Sequence, residues 1–446
     1  MTIEKLYLCI FMKTRSLGKN KVNIITLGCS KNLVDSEVLS GQLQASSVEV
    51  VHENKRKDHN IVVINTCGFI EKAKEESIQA ILTQADLRKR GKLDRLYVTG
   101  CLSQRYRQEL EQEIPEVDAW FGTLELPQLL KEFQVDYKKE LLGERLLSTP
   151  SHYAYLKISE GCNRTCAFCA IPLMRGEHRS RPMEEILREA RHLAGSGVKE
   201  IMLIAQELTY YGLDLYRRRA LPDLLNRLAD IEELQWIRLH YAYPSRFPLE
   251  VLDTIRERPN ICNYLDLPIQ HASDCMLRAM KRQTSRFELT ELFAAIRERV
   301  PGICLRTTLI AGFPGETRED VEVLKAFLQE QRFDRVGIFS YSHEEGTTAH
   351  DLQDDLSPEE KEERVQEIME LQQGISYEKN LEKVGLVFLT LIDRKEAGRW
   401  LGRTEFDSIE VDNEVIVHST RKLEIGEFVP VRIREAYDYD LEGEVV

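Results

Sequence analysis

The chain has 446 residues, which suggests about three domains, and its 42% hydrophobic and 30% charged residues are typical of a folded globular protein. Its net charge of −13 disfavours a protein that mainly coats nucleic acid and suits one with a basic protein partner. No apolar run reaches the roughly 18 residues of a membrane span, and the apolar stretch at 6–12 precedes its basic residues, unlike a secretory signal. We therefore expect a cytoplasmic protein without membrane association.

Residues 1–20 are predicted to be an extension ahead of the fold, because the first buried-strand pattern starts only at Val22. Met12 offers an alternative translation start. Ordering a short tail costs backbone entropy that few contacts would offset. We therefore expect residues 1–11 to be dispensable and Cys9 not to bind a metal.

Residues 21–140 are predicted to form an open α/β domain in which a strand, a cysteine and a helix recur three times. The cysteines that follow the three strands are Cys29, Cys67 and Cys101. Ligand sites of open α/β sheets lie at the carboxyl ends of the strands, so these loops can bring the three thiols together.

Residues 141–150 are a predicted linker, and residues 151–383 again alternate strands with helices rich in Glu, Leu, Arg and Ala. The predicted strands span 153–159, 198–206, 236–241, 264–270, 304–313 and 335–342. Six βα units form most of a (βα)8 barrel, so we predict a partial, TIM-like (βα)6 barrel. A long charged helix is predicted over 357–383.

Residues 384–446 contain short β segments with turn residues, a pattern that predicts a small antiparallel barrel. Residues 381–446 carry nine basic and fifteen acidic side chains, a net charge of −6 that would repel phosphate and attract a basic protein. Local basic residues such as Arg399 and Arg403 are the alternative that would permit RNA binding. We expect removal of this module to spare cofactor cleavage.

Three cysteines lie within eight positions, in the segment GCNRTCAFC (161–169), and such clustering indicates metal or redox chemistry in a reducing compartment. Thiolates at Cys162, Cys166 and Cys169 can hold three irons of a [4Fe–4S] cube and leave the fourth iron open to an organic ligand. A zinc site completed by His178 is the alternative, although zinc more often uses C-x2-C pairs. The cysteines without ligand spacing are Cys9, Cys262, Cys275 and Cys304.

With Phe168 as the aromatic residue, the C-x3-C-x-F-C pattern is similar to the signature of the radical S-adenosylmethionine (SAM) enzymes. The segments LGCSKN, NTCGF and VTGC, which contain the three upstream cysteines, resemble the N-terminal cluster-binding domain of the methylthiotransferases in that family. The C-terminal residues resemble their TRAM domain. The resemblance covers residues 21–446.

One methylthiotransferase branch modifies a tRNA adenosine (position 37), and another modifies an aspartate of ribosomal protein S-twelve. The chain resembles the second branch in GCSKNLVDSE (28–37), CAIPLMRG (169–176), YLDLPIQHAS (264–273) and DRVGIFSYSHEEGT (334–347). The tRNA branch usually has Ser-Gly-Ser where this chain has His-Ala-Ser at 271–273. One departure is Glu207, where the ribosomal branch commonly has aspartate. The glutamate side chain is longer and keeps the negative charge.

The resemblance implies two [4Fe–4S] clusters. Cys162, Cys166 and Cys169 would bind the cluster that SAM chelates, and reduction would then give a 5′-deoxyadenosyl radical. Cys29, Cys67 and Cys101 would bind an auxiliary cluster whose open iron carries the sulfur. The implied reaction is methylthiolation of an aspartate β-carbon to 3-methylthioaspartate, where removal of hydrogen from an unactivated carbon requires a radical.

The resemblance also implies partners: protein S-twelve, free or in the small ribosomal subunit, and an electron donor such as flavodoxin or ferredoxin. We do not expect tRNA to bind. The other functions kept open are a tRNA methylthiotransferase and a non-catalytic iron–sulfur or zinc module that docks on ribosomes. About eight irons per chain would favour either enzyme over the module.

Further residues are predicted to contact SAM because they follow strand ends. They are Gly312, Gly315 and Glu316 in AGFPGET, and Gln206 and Glu207 in LIAQELTYYG. Glycine permits close approach of the backbone to a ligand. A plain strand-to-helix turn, with the glutamate as a first-turn acid, accounts for AGFPGET equally well.

Two sets of side chains have both a functional and a structural interpretation. His271 and Asp266 either face the site or form a buried structural pair. The arginine run either neutralises cofactor or substrate carboxylates or forms a solvated loop surface; its members are Arg175, Arg179 and Arg181.

Overall fold

A computed structural model describes residues 20–53, 58–138, 141 and 143–446. The predictions for residues 1–11 and for Cys9 lie outside these ranges. The described chain divides into two compact units. The first contains 72–141 and the residues up to Gly68, and the second contains 69–71 and the residues from 143 onward. Among the described helices, none is both long and apolar enough to cross a bilayer.

The described residues of the first unit form an open, entirely parallel sheet. Its strands are β1 (Lys21–Thr26), β2 (Glu49–His52), β3 (Ile61–Thr66), β4 (Arg95–Gly100) and β5 (Ala119–Trp120), in the order β2-β1-β3-β4-β5. The helices are α1 (Ser30–Gln44), α2 (Glu71–Lys89), α3 (Cys101–Glu113) and α4 (Leu126–Glu132). The open α/β fold predicted from the sequence is confirmed, with β2 and β5 as additional edge strands.

Both faces of this sheet are buried, as parallel sheets require. On β3, Val63 packs into an apolar cluster on one face with Val22 and Leu43, while Val62 and Ile64 pack into a second cluster on the other face. The continuous apolar sequence of β3 thus reflects burial on both sides rather than the alternation of a half-exposed strand.

The second unit contains a six-stranded parallel sheet within its described residues. The strands are β6 (Tyr153–Lys157), β9 (Glu200–Ile204), β10 (Trp236–Leu239), β11 (Ile261–Asp266), β12 (Cys304–Ala311) and β13 (Arg335–Ser340). Each pairs with its neighbour in this chain order, which confirms the partial barrel. Strand β11 starts and ends earlier than predicted, because 267–270 leave the ladder except for a single bridge between Gln270 and Leu309.

Short elements surround the cysteine loop, and helices cover the outside of the barrel. A two-stranded ribbon consists of β7 (Ser159–Glu160) and β8 (Arg179–Ser180), with α5 (Ile171–Arg175) between them. The remaining helices are α6 (Met183–Gly195), α7 (Leu221–Ala229), α8 (Glu250–Glu257), α9 (Asp274–Ala279), α10 (Arg286–Arg299), α11 (Arg318–Gln331) and α12 (Pro358–Leu381). The predicted long helix is α12, and a capping box between Ser357 and Glu360 fixes its start.

The C-terminal residues, described without gaps, close into a small barrel, as predicted. Its strands are β14 (Val387–Glu396), β15 (Arg399–Arg403), β16 (Val415–His418), β17 (Phe428–Ala436) and β18 (Leu441–Val445). Across 384–446, four pairings are antiparallel and the pairing of β16 with β18 is parallel. The barrel is therefore a closed sheet without a long exposed edge.

The segment 404–412, which lies between β15 and β16, packs against the central barrel through buried charges. Arg238 donates to the Glu405 carbonyl at 2.6 Å, and Arg335 donates to Asp407 at 2.6 Å. Asp412 accepts from Tyr264 at 2.7 Å. This loop thus supplies hydrogen-bond partners to side chains on three strands of the central barrel.

Candidate functional site

In the first unit, the sequence-predicted cysteines occupy the carboxyl-end side of the sheet. Cys29 is the N-cap of α1, Cys67 follows β3 directly, and Cys101 is the first residue of α3. Cys29 is exposed, whereas Cys67 and Cys101 are buried. Helix N-termini carry partial positive charge, so α1 and α3 favour a negatively charged group such as a thiolate-bound cluster.

Close backbone contacts bring these three loops together. Gly28 has a φ of +91°, and a Cβ added there would lie 2.8 Å from the Cys67 sulfur. A Cβ on Gly68 would lie 2.7 Å from the backbone nitrogen of Leu102, next to Cys101. Only glycine permits both approaches. The loops of Cys29 and Cys101 therefore each pack against the segment that carries Cys67.

Asn32 links the same loops and was not singled out from the sequence. Its Nδ2 donates to the Leu27 carbonyl at 2.8 Å and to the Thr66 carbonyl at 3.0 Å. Its Oδ1 lies 3.8 Å from the Cys101 sulfur. The only sequence signal is its position three residues after Cys29, in the first turn of a helix, where a polar side chain can cap neighbouring backbone groups.

In the second unit, Cys162, Cys166 and Cys169 lie in the loop between β7 and α5. Three backbone hydrogen bonds hold this loop: Cys162 to Gly176 at 3.1 Å, Ala167 to Met280 at 3.0 Å, and Ala349 to Ala167 at 2.8 Å. The aromatic side chain of the motif, Phe168, packs in an apolar cluster that includes Phe313 and Tyr341. That cluster connects the cysteine loop to the AGFPGET segment.

Burial controls the protonation of these thiols. It raises the pKa of Cys162 to about 11 and the pKa of Cys169 to about 12. Both are therefore neutral thiols near pH 7 when no metal is bound. Iron ligation must displace these protons, as is usual for thiolate ligands.

Two arginines flank the same loop and stack on one tyrosine. The guanidinium carbons of Arg164 and Arg282 lie 3.8 Å and 4.1 Å from the centre of the Tyr243 ring. Arg282 Nη1 donates to the Cys166 sulfur at 3.2 Å, and the Arg164 backbone nitrogen lies 3.4 Å from the Cys162 sulfur. Sequence reasoning missed Arg282 and Tyr243, because they are more than 70 residues from the motif.

The AGFPGET residues form a tight turn between β12 and α11. The buried carboxylate of Glu316 stabilises this turn through hydrogen bonds. This carboxylate accepts from the Gly312 nitrogen at 3.0 Å and from Arg364 at 2.7 Å. Burial alone would raise the pKa of Glu316, but hydrogen bonds from His271 and Arg364 lower it. The side-chain stem of Lys361 occupies the space that a Cβ on Gly312 would need, and the Gly315 nitrogen donates to Asp355 at 3.2 Å.

Gln206 and Glu207 follow β9 and have different environments. Glu207 accepts from Arg164 at 2.5 Å and from the Thr209 nitrogen at 2.8 Å, so its role in this structure is to orient Arg164. Gln206 donates to Glu160 at 2.6 Å, and its buried Oε1 has no partner among the described residues. Although burial would raise the pKa of Glu160, Lys157 and Arg175 lower it to about 2.

The structure separates His271 from Asp266. Asp266 accepts from the Tyr241 nitrogen at 3.2 Å and from Arg306 at 3.1 Å. His271 Nδ1 accepts from the backbone nitrogens of residues 272 and 273, both at 2.9 Å, while its Nε2 lies 3.5 Å from Glu316. Both residues are buried and hydrogen-bonded, as the structural interpretation expects, but they have separate partners, because His271 turns toward the AGFPGET segment.

The predicted fourth zinc ligand lies among other partners. His178 Nε2 lies 3.1 Å from Ser180 Oγ and 3.8 Å from Asp214. In the part of the chain that the structure describes, no three His, Cys, Asp or Glu side chains converge as ligands of a single metal ion.

The predicted arginine run and the cysteines without ligand spacing have separate environments. Arg175 and Arg181 pair with Glu160 and Glu189 at 3.3 and 2.7 Å, while Arg179 is exposed. Of the cysteines without ligand spacing, Cys262 and Cys304 are buried and Cys275 is exposed.

The donors around the second-unit triad fit a [4Fe–4S] cluster. Three thiols lie on one loop, and buried guanidinium groups surround a site that would carry thiolate charge. The buried Arg282 Nε–H also has no acceptor among the described residues, which leaves a donor free for a sulfur atom of such a cluster. Metal-bound thiolates and sulfides accept such hydrogen bonds.

Family models match three consecutive parts of the chain. Residues 21–122 match the uncharacterized protein family UPF0004, residues 156–328 match the radical SAM superfamily, and residues 384–446 match the TRAM domain. Cys29, Cys67 and Cys101 lie in the first match, and Cys162, Cys166 and Cys169 lie in the second.

Curated relatives are similar over nearly the whole chain. "Ribosomal protein uS12 methylthiotransferase RimO" of Flavobacterium johnsoniae is 58% identical and covers 97% of this chain and 100% of its own. The proteins of the same name from Cytophaga hutchinsonii and Bacteroides thetaiotaomicron are 56% and 51% identical, over 98% and 96% of this chain and 100% and 99% of their own.

Solved structures share the fold at low sequence identity. The radical S-adenosylmethionine methyltransferase TsrM from Kitasatospora setae matches with a TM-score of 0.53 and 16% identity, over 72% of this chain and 75% of its own. The cobalamin-dependent S-adenosylmethionine radical enzyme OxsB matches with a TM-score of 0.51 and 13% identity, over 79% of this chain and 56% of its own.

Proposed function

The chain belongs to the RimO family of radical SAM methylthiotransferases, and from this we propose that it methylthiolates ribosomal protein uS12 at the β-carbon of an aspartate, giving 3-methylthioaspartate. The observation that carries the proposal is the presence of two cysteine triads, one in each compact unit, in a chain 58% identical to a uS12 methylthiotransferase. Its family uses SAM and a [4Fe–4S] cluster.

We assign the radical SAM cluster to Cys162, Cys166 and Cys169. When bound, this cluster supplies the electron that converts SAM into a radical able to remove hydrogen from an unactivated carbon. The protein residues hold the loop in place through its backbone hydrogen bonds and the packing of Phe168. Apolar packing around the loop limits access of water and of competing reactants.

We assign an auxiliary [4Fe–4S] cluster, which would carry the transferred sulfur, to Cys29, Cys67 and Cys101. The packing of Gly28 and Gly68 against neighbouring cysteine segments and the bridging hydrogen bonds of Asn32 support this assignment. Three thiolates leave one iron of such a cluster without a protein ligand.

We propose that Gln206 contacts SAM directly, because its buried Oε1 has no partner among the described residues and suits a donor on the cofactor. Gly312 and Gly315 would present backbone to the cofactor. Glu316 and Glu207 would act indirectly, since their carboxylates already accept hydrogen bonds from protein groups.

The C-terminal barrel is our proposed docking surface for the basic substrate protein. In 384–446, described without gaps, three carboxylates and one guanidinium are buried, namely Asp393, Asp407, Asp412 and Arg403. The residues 381–446 have a net charge of −6, and leaving out these four side chains gives −4 for the remainder. A basic protein is attracted to such a surface, and RNA phosphate is repelled.

We also propose limits for the domains and an external source of electrons. The limits are 21–140 for the N-terminal cluster-binding domain, 141–150 for a linker, 151–383 for the radical SAM domain and 384–446 for the TRAM domain. A small redox protein such as flavodoxin or ferredoxin would supply the electron, since cluster reduction needs a low-potential donor.

Mass spectrometry of uS12 and of tRNA from a strain that lacks this gene tests the proposal. We expect loss of the 3-methylthioaspartate mass from uS12 and unchanged methylthiolated adenosine in tRNA. Complementation with the intact gene should restore the uS12 modification, and complementation with a Cys162→Ala variant should not. Loss of the tRNA modification with intact uS12 would overturn the assignment in favour of a tRNA enzyme.

A further inference from the structure

Arg282 lies beside the cysteine loop without an acidic partner. The side chain is 4% exposed, and its guanidinium contacts the Cys166 sulfur, the Pro268 carbonyl and the face of Tyr243. Among the described residues no carboxylate forms an ion pair with it, and its Nε–H has no acceptor. A buried cation in this state is costly unless a negative group is bound nearby.

Arg164, on the other side of Tyr243, provides the contrast. It is also buried, but Glu207 accepts from its Nε at 2.8 Å and from its Nη2 at 2.5 Å. The positive charge of Arg164 is therefore neutralised within the protein. The positive charge of Arg282 is therefore left to interact with a negatively charged group bound at Cys166.

We propose that Arg282 sets the reduction potential of the cluster bound by Cys162, Cys166 and Cys169, by donating a hydrogen bond to the Cys166 sulfur and placing an uncompensated positive charge beside it. The inference rests on the proposed function only in assuming a [4Fe–4S] cluster at this triad. It assigns Arg282 as a residue that acts through the cluster and not on the substrate.

The sign of the effect follows from charge. A [4Fe–4S] cluster gains one negative charge on reduction, and hydrogen bonds and net charge near the sulfurs shift its potential. A buried cation stabilises the reduced state more than the oxidised state, since little water screens the interaction. Arg282 therefore raises the potential and makes the cluster easier to reduce.

The test is a redox titration of the reconstituted full-length protein, in which the EPR signal of the reduced cluster is measured at each potential. The Arg282→Gln variant removes the charge, and Arg282→Met removes it while keeping an apolar chain to pack on Tyr243. At a fixed ambient potential we expect the reduced-to-oxidised ratio to fall at least tenfold in either variant, which equals a shift of about 59 mV for one electron. Arg282→Lys should retain most of the wild-type potential.

Arg278→Gln is the matched control, because it removes the same charge from an exposed position on the neighbouring helix α9. A second readout is SAM cleavage: the neutral Arg282 variants should be slow with dithionite and recover with titanium(III) citrate, a stronger reductant. Wild-type potentials in both neutral variants, or an equal shift in Arg278→Gln, would overturn the inference. If the wild-type triad binds no cluster at all, the proposed function fails instead.

Discussion

Arg403 of the C-terminal barrel and Glu200 at the start of β9 form an ion pair in which neither side chain is more than 1% exposed. The Arg403 Nη2 donates to Glu200 Oε2 at 2.7 Å. Arg403 also pairs with Asp393 at 2.7 Å, and Glu200 accepts from Arg238 at 2.8 Å. Buried charged side chains of the C-terminal barrel and of the central barrel therefore pair with each other, away from water.

We expect Arg403→Met to destabilise the protein by about 3 kcal/mol, because it leaves two buried carboxylates, Glu200 and Asp393, with Arg238 as the one guanidinium still paired to Glu200. Thermal or urea unfolding of the purified protein measures this. The control is Arg421→Met, which removes an exposed pair with Glu427 and should cost far less stability, because water screens an exposed pair. Equal losses in the two variants would show that burial does not matter here.

The same contacts change one expectation drawn from the sequence. Deleting 384–446 should not spare cofactor cleavage, because it removes the hydrogen-bond partners of Arg238, Arg335 and Tyr264 inside the central barrel. We expect the truncated protein to aggregate or to lose its iron. Size-exclusion chromatography and iron analysis decide this, and a monodisperse truncated protein with normal SAM cleavage would restore the original expectation.

Substrate docking is therefore tested better by surface changes than by deletion. Glu424, Glu435 and Asp438 are exposed on the C-terminal barrel, so their replacement by Gln, Gln and Asn should alter stability by no more than about 0.5 kcal/mol. We expect weaker binding of uS12 and a shallower dependence of that binding on salt, since surface charges are screened over about 10 Å at 0.1 M. Unchanged uS12 binding in isothermal calorimetry would move the docking surface elsewhere.

The two cysteine triads should lose iron independently. Replacing Cys162, Cys166 and Cys169 with Ala should remove about half of the iron and abolish SAM cleavage, since three thiolates hold one cluster. Iron and acid-labile sulfide analysis measures the loss, and exposed Cys275→Ala is the control.

The complementary variant replaces Cys29, Cys67 and Cys101 with Ala. It should also lose about half of the iron but keep some SAM cleavage, because the radical SAM triad is intact. Full iron in both triple variants would refute the assignment of two sites.

Acid should weaken the protein through its buried carboxylates. Burial alone would raise the pKa of Glu200, but Arg403 and Arg238 lower it, and Arg335 likewise lowers the pKa of Asp407 despite burial. A folded-state pKa below the unfolded value gives stability that is present at neutral pH and is lost as the pH falls below about 5. The melting temperature should therefore drop less steeply between pH 5 and 3 in Glu200→Gln than in wild type.

Asp412 changes the stability with pH in the opposite direction, because burial raises its pKa above the ordinary value. Its contribution therefore favours folding in the protonated state and becomes less favourable as the pH rises. A steeper acid loss in Glu200→Gln than in wild type would contradict the assignment of Glu200 as a stabilising carboxylate.

Regular periodicity made much of the fold predictable. The run IVVINT predicted β3 because six successive buried residues are typical of a parallel strand, and the six βα units followed from the same pattern. Strand β5 was missed because a strand of two residues is too short to show a hydrophobic pattern in the sequence. Strand β11 was misplaced because the apolar run at 264–270 continues past the last ladder residue.

The cysteines of the site were predictable and their supporting residues were not. Cys162, Cys166 and Cys169 are neighbours in the sequence, so their spacing carries the signal. Arg282 reaches Cys166 across 116 residues, and no local pattern distinguishes a buried arginine from a surface one. The same holds for charges counted from the sequence: Arg403, which the alternative interpretation counted as a local basic residue for RNA, is buried.

The pair of Glu200 and Arg403 also constrains the order in which the protein can mature. Synthesis runs from the N-terminus, so Glu200 leaves the ribosome 203 residues ahead of Arg403, one of its two cationic partners. Until then its cationic partner is Arg238, only 38 residues further along the chain, and contacts between distant residues form slowly. We therefore expect the C-terminal module to complete the charge balance of the central barrel only late in synthesis.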